Sequence, residues 1–436
     1  MTDIVQSPLP TPAPLTRQES LQAIALAATL LFAHGQTTER TVVTAERLGR
    51  ALGVPVRILP YWGELTIEID GTSTSQIVSE KPLGVDMSRV LALTTVVDQV
   101  CDGALPGMAV RAALTSAGRL PPVSTPRLTA FAAIGAASLG VIFGAFDAMS
   151  LVLIAVSAAI GALVRRWLAG LGGNPFIQPL CAAAIAGAVA AAAARLHLSD
   201  ATALIAFCPC MVLVPGPHVL NGAFDLARTR IALGIARLAY AALIVLMICT
   251  GLLVGLNVSG ATIPATEQSA PVPLLADVIA AGCAVAAFGT FFSMPWRQLP
   301  FPIAVGMLAH AARWALISVA GANVASGALV ACILASVIVT PVADRLHLPF
   351  AALGFSAVVS MMPGFYLFHA ASAFVELASI GEHAPVNLIA SIAANGMMAF
   401  LVIQAMTIGL ILPRMLFEHF FPLSAQAQVK RSGKAV

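Results

Sequence analysis

Charge is what this chain has least of. Only 10% of its 436 residues are Asp, Glu, Lys or Arg, against 59% hydrophobic, and its mean hydropathy is +0.91. A water-exposed globular protein carries about 25% charged residues, so this chain cannot coat a soluble surface of its size. Aromatics are also scarce at 6%, and the apolar runs are rich in Ala and Gly rather than alternating with period two. That excludes a β-barrel and points to close-packed membrane helices. Glycine (34) and proline (28) are near ordinary usage, which excludes collagen-like and low-complexity chains. A net charge of +3 is too small to imply a nucleic-acid partner. The seven cysteines are odd in number and six lie in apolar segments, so no disulfide framework fits. Cys208-Pro209-Cys210 with His218 matches no standard zinc spacing; neither a metal nor a cofactor is expected.

The few charges are unevenly spread. Residues 1–127 hold 10 Lys/Arg and 11 Asp/Glu, leaving 22 charges for the other 309 residues. This shift separates a small α/β cytoplasmic domain at 16–120 from a membrane domain, with a Pro-rich linker at 121–127. Residues 1–15 are polar and Pro-rich, read as a disordered tail without the pattern of a secretory signal. The apolar run 21–33 is too short to span a hydrocarbon layer of ~30 Å. It reads as a helix opened by the capping box Thr16-Arg17-Gln18-Glu19. A second helix over 39–52 and strands over 54–59 and 65–70 follow, with a third strand at 76–80 and helices from Asp86 and Pro106. His34, Asp70, Asp86, Asp98, Cys101 and Asp102 form no recognisable nucleophile–base constellation, so the domain reads as docking or gating rather than enzymatic.

After Arg127 come ten apolar segments, at 128–146, 148–164, 176–194, 201–222, 238–256, 274–294, 301–320, 323–340, 350–378 and 388–412. With the N-terminal domain inside, the inner segments receive Arg165, Arg166, Arg228, Arg230, Arg237, Arg297, Arg345, Arg414, Lys430, Arg431 and Lys434. Arg195 alone falls outside. Both termini are therefore placed in the cytoplasm. Arg166-Trp167 recurs as Arg313-Trp314, Arg195-Leu196-His197-Leu198 as Arg345-Leu346-His347-Leu348, and Pro215-Gly216 as Pro363-Gly364, at offsets of 147, 150 and 148. The pattern is that of two inverted five-helix repeats, 128–256 and 274–412, joined by an extracytoplasmic loop at 257–273 and followed by a cytoplasmic tail at 413–436. Five is odd, so the second repeat enters the membrane upside down, an architecture of secondary transporters.

The two Pro-Gly steps lie inside the fourth and ninth segments. Proline removes a helix hydrogen bond and glycine permits unusual backbone angles, so both spans should be kinked or broken there. Matching interruptions in two halves are the best sequence pointer to a transporter's binding site. Pro215, Gly216, His218, Asn221, Pro363, Gly364 and His369 are therefore the candidate substrate-binding residues. His218, Asn221 and Asp225 share a helix face, and Asn221 and His369 each stand six residues past their proline. Asp225 and Asp147 are the candidates for proton coupling. Asp277 and Glu376 read as interfacial or capping charges. Gly140/Gly144 and Gly251/Gly255 are GxxxG pairs that favour close helix packing.

Pro215-Gly216 through Asn221 and Asp225 to Gly234-Ile235-Ala236-Arg237 resembles the signature region of the bacterial threonine/serine exporter family. Phe143-Gly144-Ala145-Phe146-Asp147 resembles its first inter-span stretch. Gly35 to Arg40, followed by a helix and Gly53, is similar to an element of its soluble domain. The resemblance covers essentially the whole chain. It implies a transporter of the bacterial inner membrane, not an enzyme, exporting small amino acids such as threonine and serine on the proton gradient. Its partners would be the amino acid, protons and the lipid bilayer, with a homo-oligomer left open. The competing readings are a carrier for another small organic acid or peptide, and a membrane-bound hydrolase working through the N-terminal domain.

Overall fold

The computed structural model describes residues 15–172, 174–257, 271–345, 348 and 350–420. Nearly all of the predicted tail at 1–15, most of the loop at 257–273, Leu346 and His347 of the second Arg-Leu-His-Leu motif, and 421–436 lie outside the described residues. The chain divides into two compact units, Met1–Pro121 and Pro122–Val436.

The first unit carries helices α1 (Arg17–Ala33), α2 (Thr38–Ala51), α3 (Met87–Cys101) and α4 (Gly107–Gly118), with strands β1 (Val56–Tyr61), β2 (Gly63–Ile69) and β3 (Ser75–Glu80). The strands form one antiparallel sheet in the order β1-β2-β3, with Ile58 opposite Ile67 and Leu65 opposite Val78. Alternation along β2 buries Leu65, Ile67 and Ile69 on one face. The core is completed by Ile24, Leu31 and Phe32 of α1, Leu93 and Val97 of α3, and Leu114 of α4. The Thr16/Glu19 capping box closes the start of α1. Gly35 turns the chain from α1 into α2 with φ +87°, and a Cβ there would crowd the Gly84 carbonyl oxygen at 3.1 Å and the Val85 side chain at 3.2 Å, so both conformation and space favour glycine. Thr37 then caps α2 by accepting from the Arg40 amide.

The second unit is all helix among the described residues. It runs through α5 (Thr125–Ile142), α6 (Ala148–Gly170), α7 (Ile177–Arg195), α8 (Thr202–Met211), α9 (Gly216–Ala227) and α10 (Ile231–Asn257). There follow α11 (Leu274–Phe291), α12 (Pro300–Trp314, continued by a π turn over Ala315–Val319), α13 (Val324–Arg345), α14 (Phe350–Val358, continued by a 3₁₀ turn over Val359–Met361), α15 (Gly364–Ile380) and α16 (Val386–Phe420). Eight helical stretches are long and apolar enough to cross a membrane. Two bent pairs, α8/α9 at 58° and α14/α15 at 49°, bring the number to ten if each pair is one span.

The five stretches from α5 to α10 and the five from α11 to α16 pack in the same order. In the first set α7 lies against α6, α8 and α10, and α9 against α10. In the second, α13 lies against α12, α14 and α16, and α15 against α16. Small details repeat as well. Arg166 donates to the Val123 carbonyl, two residues ahead of α5, and Trp314 donates to the Val272 carbonyl, two residues ahead of α11. Leu198 and Leu348 each bond back to the residue five before, Ala193 and Ala343. The bonds to Val123 and Val272 pair Arg166 with Trp314 at an offset of 148, the offset that also relates Arg165 to Arg313 and Pro215 to Pro363. Gly251 and Gly255 bring α10 against the backbone of α7 at Leu180 and Ala184, the close approach that GxxxG spacing permits.

Candidate functional site

The two interruptions are built alike. Pro215 and Pro363 stand at the N-caps of α9 and α15 with similar backbone angles, φ −82° and ψ 58° against φ −79° and ψ 36°. Each proline carbonyl accepts from the amide four residues on, Val219 at 3.3 Å and Leu367 at 3.0 Å. The glycine that follows is needed for space. A Cβ on Gly216 would overlap the ring of Phe355 on α14, and one on Gly364 would come within 2.6 Å of the Met211 side chain at the end of α8. Each restarted helix therefore packs on the incoming helix of the other set, α9 on α14 and α15 on α8. Phe207 of α8, at the position equivalent to Phe355, lies against Phe365 and His369 of α15. The breaks meet at a shared, largely aromatic centre.

Around this centre the predicted residues separate into three places. His218, Asn221 and Asp225 are buried on α9, and their shared face looks at α10. His218 stands edge-on to Tyr240, with ring centres 5.0 Å apart. Asp225 pairs with Arg237 at 3.2 Å and with Arg230 at 3.9 Å. Asp225 and Arg237 are each only 1% exposed, so this ion pair is fully withdrawn from solvent. A buried charge of this kind is tolerated only with its partner. His369 sits apart from that group, enclosed by Phe207 and Phe365 with ring centres 4.8 and 4.5 Å away. Asp147 joins neither. It is exposed and caps α6 by accepting from the Ser150 amide at 2.7 Å, a structural role for a carboxylate at that position.

A fourth cluster escapes sequence reasoning. Asp277, in the first turn of α11, is more than a helix-end charge: it is 3% exposed, and its carboxylate lies 3.0 Å from Nδ1 of His310, which is wholly buried. Nε2 of His310 is 2.7 Å from the Ser360 hydroxyl, in the 3₁₀ turn that leads into the second break. With Asp277 ionised, Nδ1–H donates to it and the neutral ring accepts from the hydroxyl at Nε2. Arg313 lies within electrostatic reach of Asp277 and His310, and Tyr366 and Cys332 within reach of Arg313. The order carboxylate, imidazole, hydroxyl is that of a hydrolytic triad, but Ser360 is 2% exposed and out of reach of a substrate. What the arrangement can do is hold a proton and pass it between the start of α11 and the break. The three residues come from α11, α12 and the turn after α14, separated by 33 and 50 residues, so no local spacing announces them. Among the described residues no group of His, Cys, Asp and Glu could hold a metal ion.

Comparison with known families places these features in a common frame. A model described as a threonine/serine exporter matches residues 22–259, more than half of the chain. A second, also described as a threonine/serine exporter, matches residues 277–416. No curated protein and no solved structure matches the chain.

Proposed function

The chain belongs to the threonine/serine exporter family, a transporter family and not an enzyme family, and on that premise we propose a proton-driven mechanism built on the two breaks. In this reading the protein exports threonine, serine or a similar small amino acid across the bacterial inner membrane, with both termini in the cytoplasm. Its two sets of five spans act as inverted repeats that rock about their interface.

The observation that carries the reading is the reciprocal packing of the broken spans, Gly216 on Phe355 and Gly364 on Met211. Interrupted helices at a repeat interface expose backbone donors and acceptors at membrane depth, where an amino acid's ammonium and carboxylate need them. Asn221 adds an amide on the inner side of the first break. The proton is carried by Asp277, His310 and Ser360, which reach the second break, with Asp225 as a charge whose pairing to Arg237 changes between states. Asp147, a cap on the surface, takes no part. A carrier for another small organic acid is the second reading, favoured by the cations Arg237, which is buried, and Arg313, whose Nε is withdrawn from solvent.

The test is efflux of threonine from cells preloaded by a threonine-containing dipeptide, with and without the protein and a protonophore. Protein-dependent efflux that collapses with the protonophore is expected. His310→Gln and Asp277→Asn should each remove most of that protonophore-sensitive component while the protein still reaches the membrane. Efflux that ignores the protonophore, or variants that behave as wild type, would refute the proton mechanism.

A further inference from the structure

We infer that a cleft beside the first break binds the carboxylate of the exported amino acid, with Arg165 as its charge partner and Ser157 as a hydrogen-bond donor. The inference rests on the exporter reading and deepens it. The cleft lies where α5, α6 and α7 meet the end of α8, and Phe291 of α11 joins its wall. The open space of the cleft, part of it continuous with the surroundings, is about 270 Å³. Val212 and Leu213, the residues of the break itself, line it.

Ser157, Gly161 and Arg165 are spaced by four along α6 and so face the cleft together. Ser157 is 1% exposed and its hydroxyl has no hydrogen-bond partner among the described residues. The Nε of Arg165 is likewise buried without a partner, and among the described residues no carboxylate accompanies this guanidinium. Its Cζ lies over the Phe291 ring, 5.2 Å from the centroid, and a guanidinium so placed can still donate N–H groups to a planar anion. Arg165 as a whole is half-buried, yet it and the buried hydroxyl of Ser157 line one cleft with no partner among the described residues, a costly arrangement for a fold to keep that a visiting carboxylate would relieve.

The second set of helices shows what is missing. Arg165 corresponds to Arg313, at the same offset of 148 that relates Pro215 to Pro363. Arg313 has Asp277 within electrostatic reach, whereas the residue equivalent to Asp277 in the first set is Thr129. The carboxylate that the protein supplies to Arg313 is, for Arg165, supplied by the substrate. Most of the remaining wall is alanine and glycine, including Ala158, Gly161 and Ala182. Displacement of these small-residue helices makes room for a three- or four-carbon amino acid.

The test uses the full-length protein purified in detergent and the shift of its thermal unfolding midpoint with threonine, serine, succinate and threoninamide, whose carboxylate is replaced by an amide. Threonine should stabilise the wild type and threoninamide should not. Arg165→Gln should weaken threonine by about 10- to 100-fold, Arg165→Lys by less, and Ser157→Ala by a few fold. The two milder variants keep the test valid if Arg165→Gln does not fold. Equal stabilisation by threonine and threoninamide, unchanged threonine affinity in Arg165→Lys and Ser157→Ala, or no response of the wild type to any of the three carboxylates would overturn the inference. Carboxylate-selective binding through Arg165 in a protein without proton-driven efflux would leave the site standing and sink only the exporter mechanism.

Discussion

The helices α5–α10 and α11–α16 pack in the same order and differ in where they keep their charge. Behind the first break, α9 and α10 hold the buried pair Asp225–Arg237. At the matching place behind the second, Ala373 packs with Leu388 and Ile392 in a purely apolar cluster. Ahead of the breaks the asymmetry reverses. The second set holds Asp277, His310 and Ser360 in one hydrogen-bonded chain, while the first has a cleft with Arg165 and Ser157. The likeness of the two sets extends to where the backbone is interrupted, and in the proposed mechanism their differences set where an ion or a proton sits.

The comparison is broken most severely at Arg237. Arg237→Leu leaves Asp225 buried without its partner and should cost about 3–5 kcal/mol. The double variant Asp225→Leu/Arg237→Leu, which makes α9/α10 resemble α15/α16, should recover most of that loss. Thermal unfolding of the two single variants and the double variant gives the coupling directly, and additive losses would mean that the pair is not a unit.

A smaller effect sharpens the likeness of the two breaks. Gly216→Ala and Gly364→Ala both overfill the centre, each at about 1–3 kcal/mol. Gly216→Ala should be the worse, because it strikes the rigid Phe355 ring, whereas Gly364→Ala meets the flexible Met211 chain. Equal losses in unfolding midpoint would show that the backbone, not the facing side chain, sets the cost.

The smallest effect lies in the first unit, where protonation acts on stability rather than transport. Burial pushes the His34 imidazole below the ordinary histidine value, and Arg89 adds to this, while Asp86 opposes it. The folded unit thus binds this proton less readily than the unfolded chain. Stability is intact above about pH 6.5 and falls as the pH drops toward the depressed folded value. Hydrogen exchange in α1 and α3 of the full chain should quicken between pH 7.5 and 5.5 more in wild type than in His34→Gln, after correction for intrinsic exchange. An identical pH response in the two proteins would remove His34 as the cause.

Much of this architecture is legible in the amino-acid sequence, for reasons that particular residues make plain. The breaks are readable because Pro-Gly inside an apolar run has few other uses. The α9 face is readable because His218, Asn221 and Asp225 are neighbours in one helix. The pairing of Asp225 with Arg237 is not, since it depends on α10 folding back. Asp277, His310 and Ser360 converge only through tertiary packing. Arg165 is hidden for a different reason: the apolar run stops at residue 164, so its charge reads as a loop arginine. In fact α6 continues to Gly170, carrying that guanidinium back beside the break. Similarly α5 starts at Thr125, inside the stretch that reads as linker, because Pro126 fits the first turn of a helix.

The central claim is that a proton gradient drives small amino acids through the meeting point of the two breaks. Purified protein in liposomes loaded with labelled threonine tests it most directly, when a pH step is imposed across the membrane without any other energy source. Threonine should move against its concentration gradient in the direction opposite to the proton gradient, and reversing the pH step should reverse the movement. Movement that only dissipates the threonine gradient, whatever the sign of the pH step, would contradict the account.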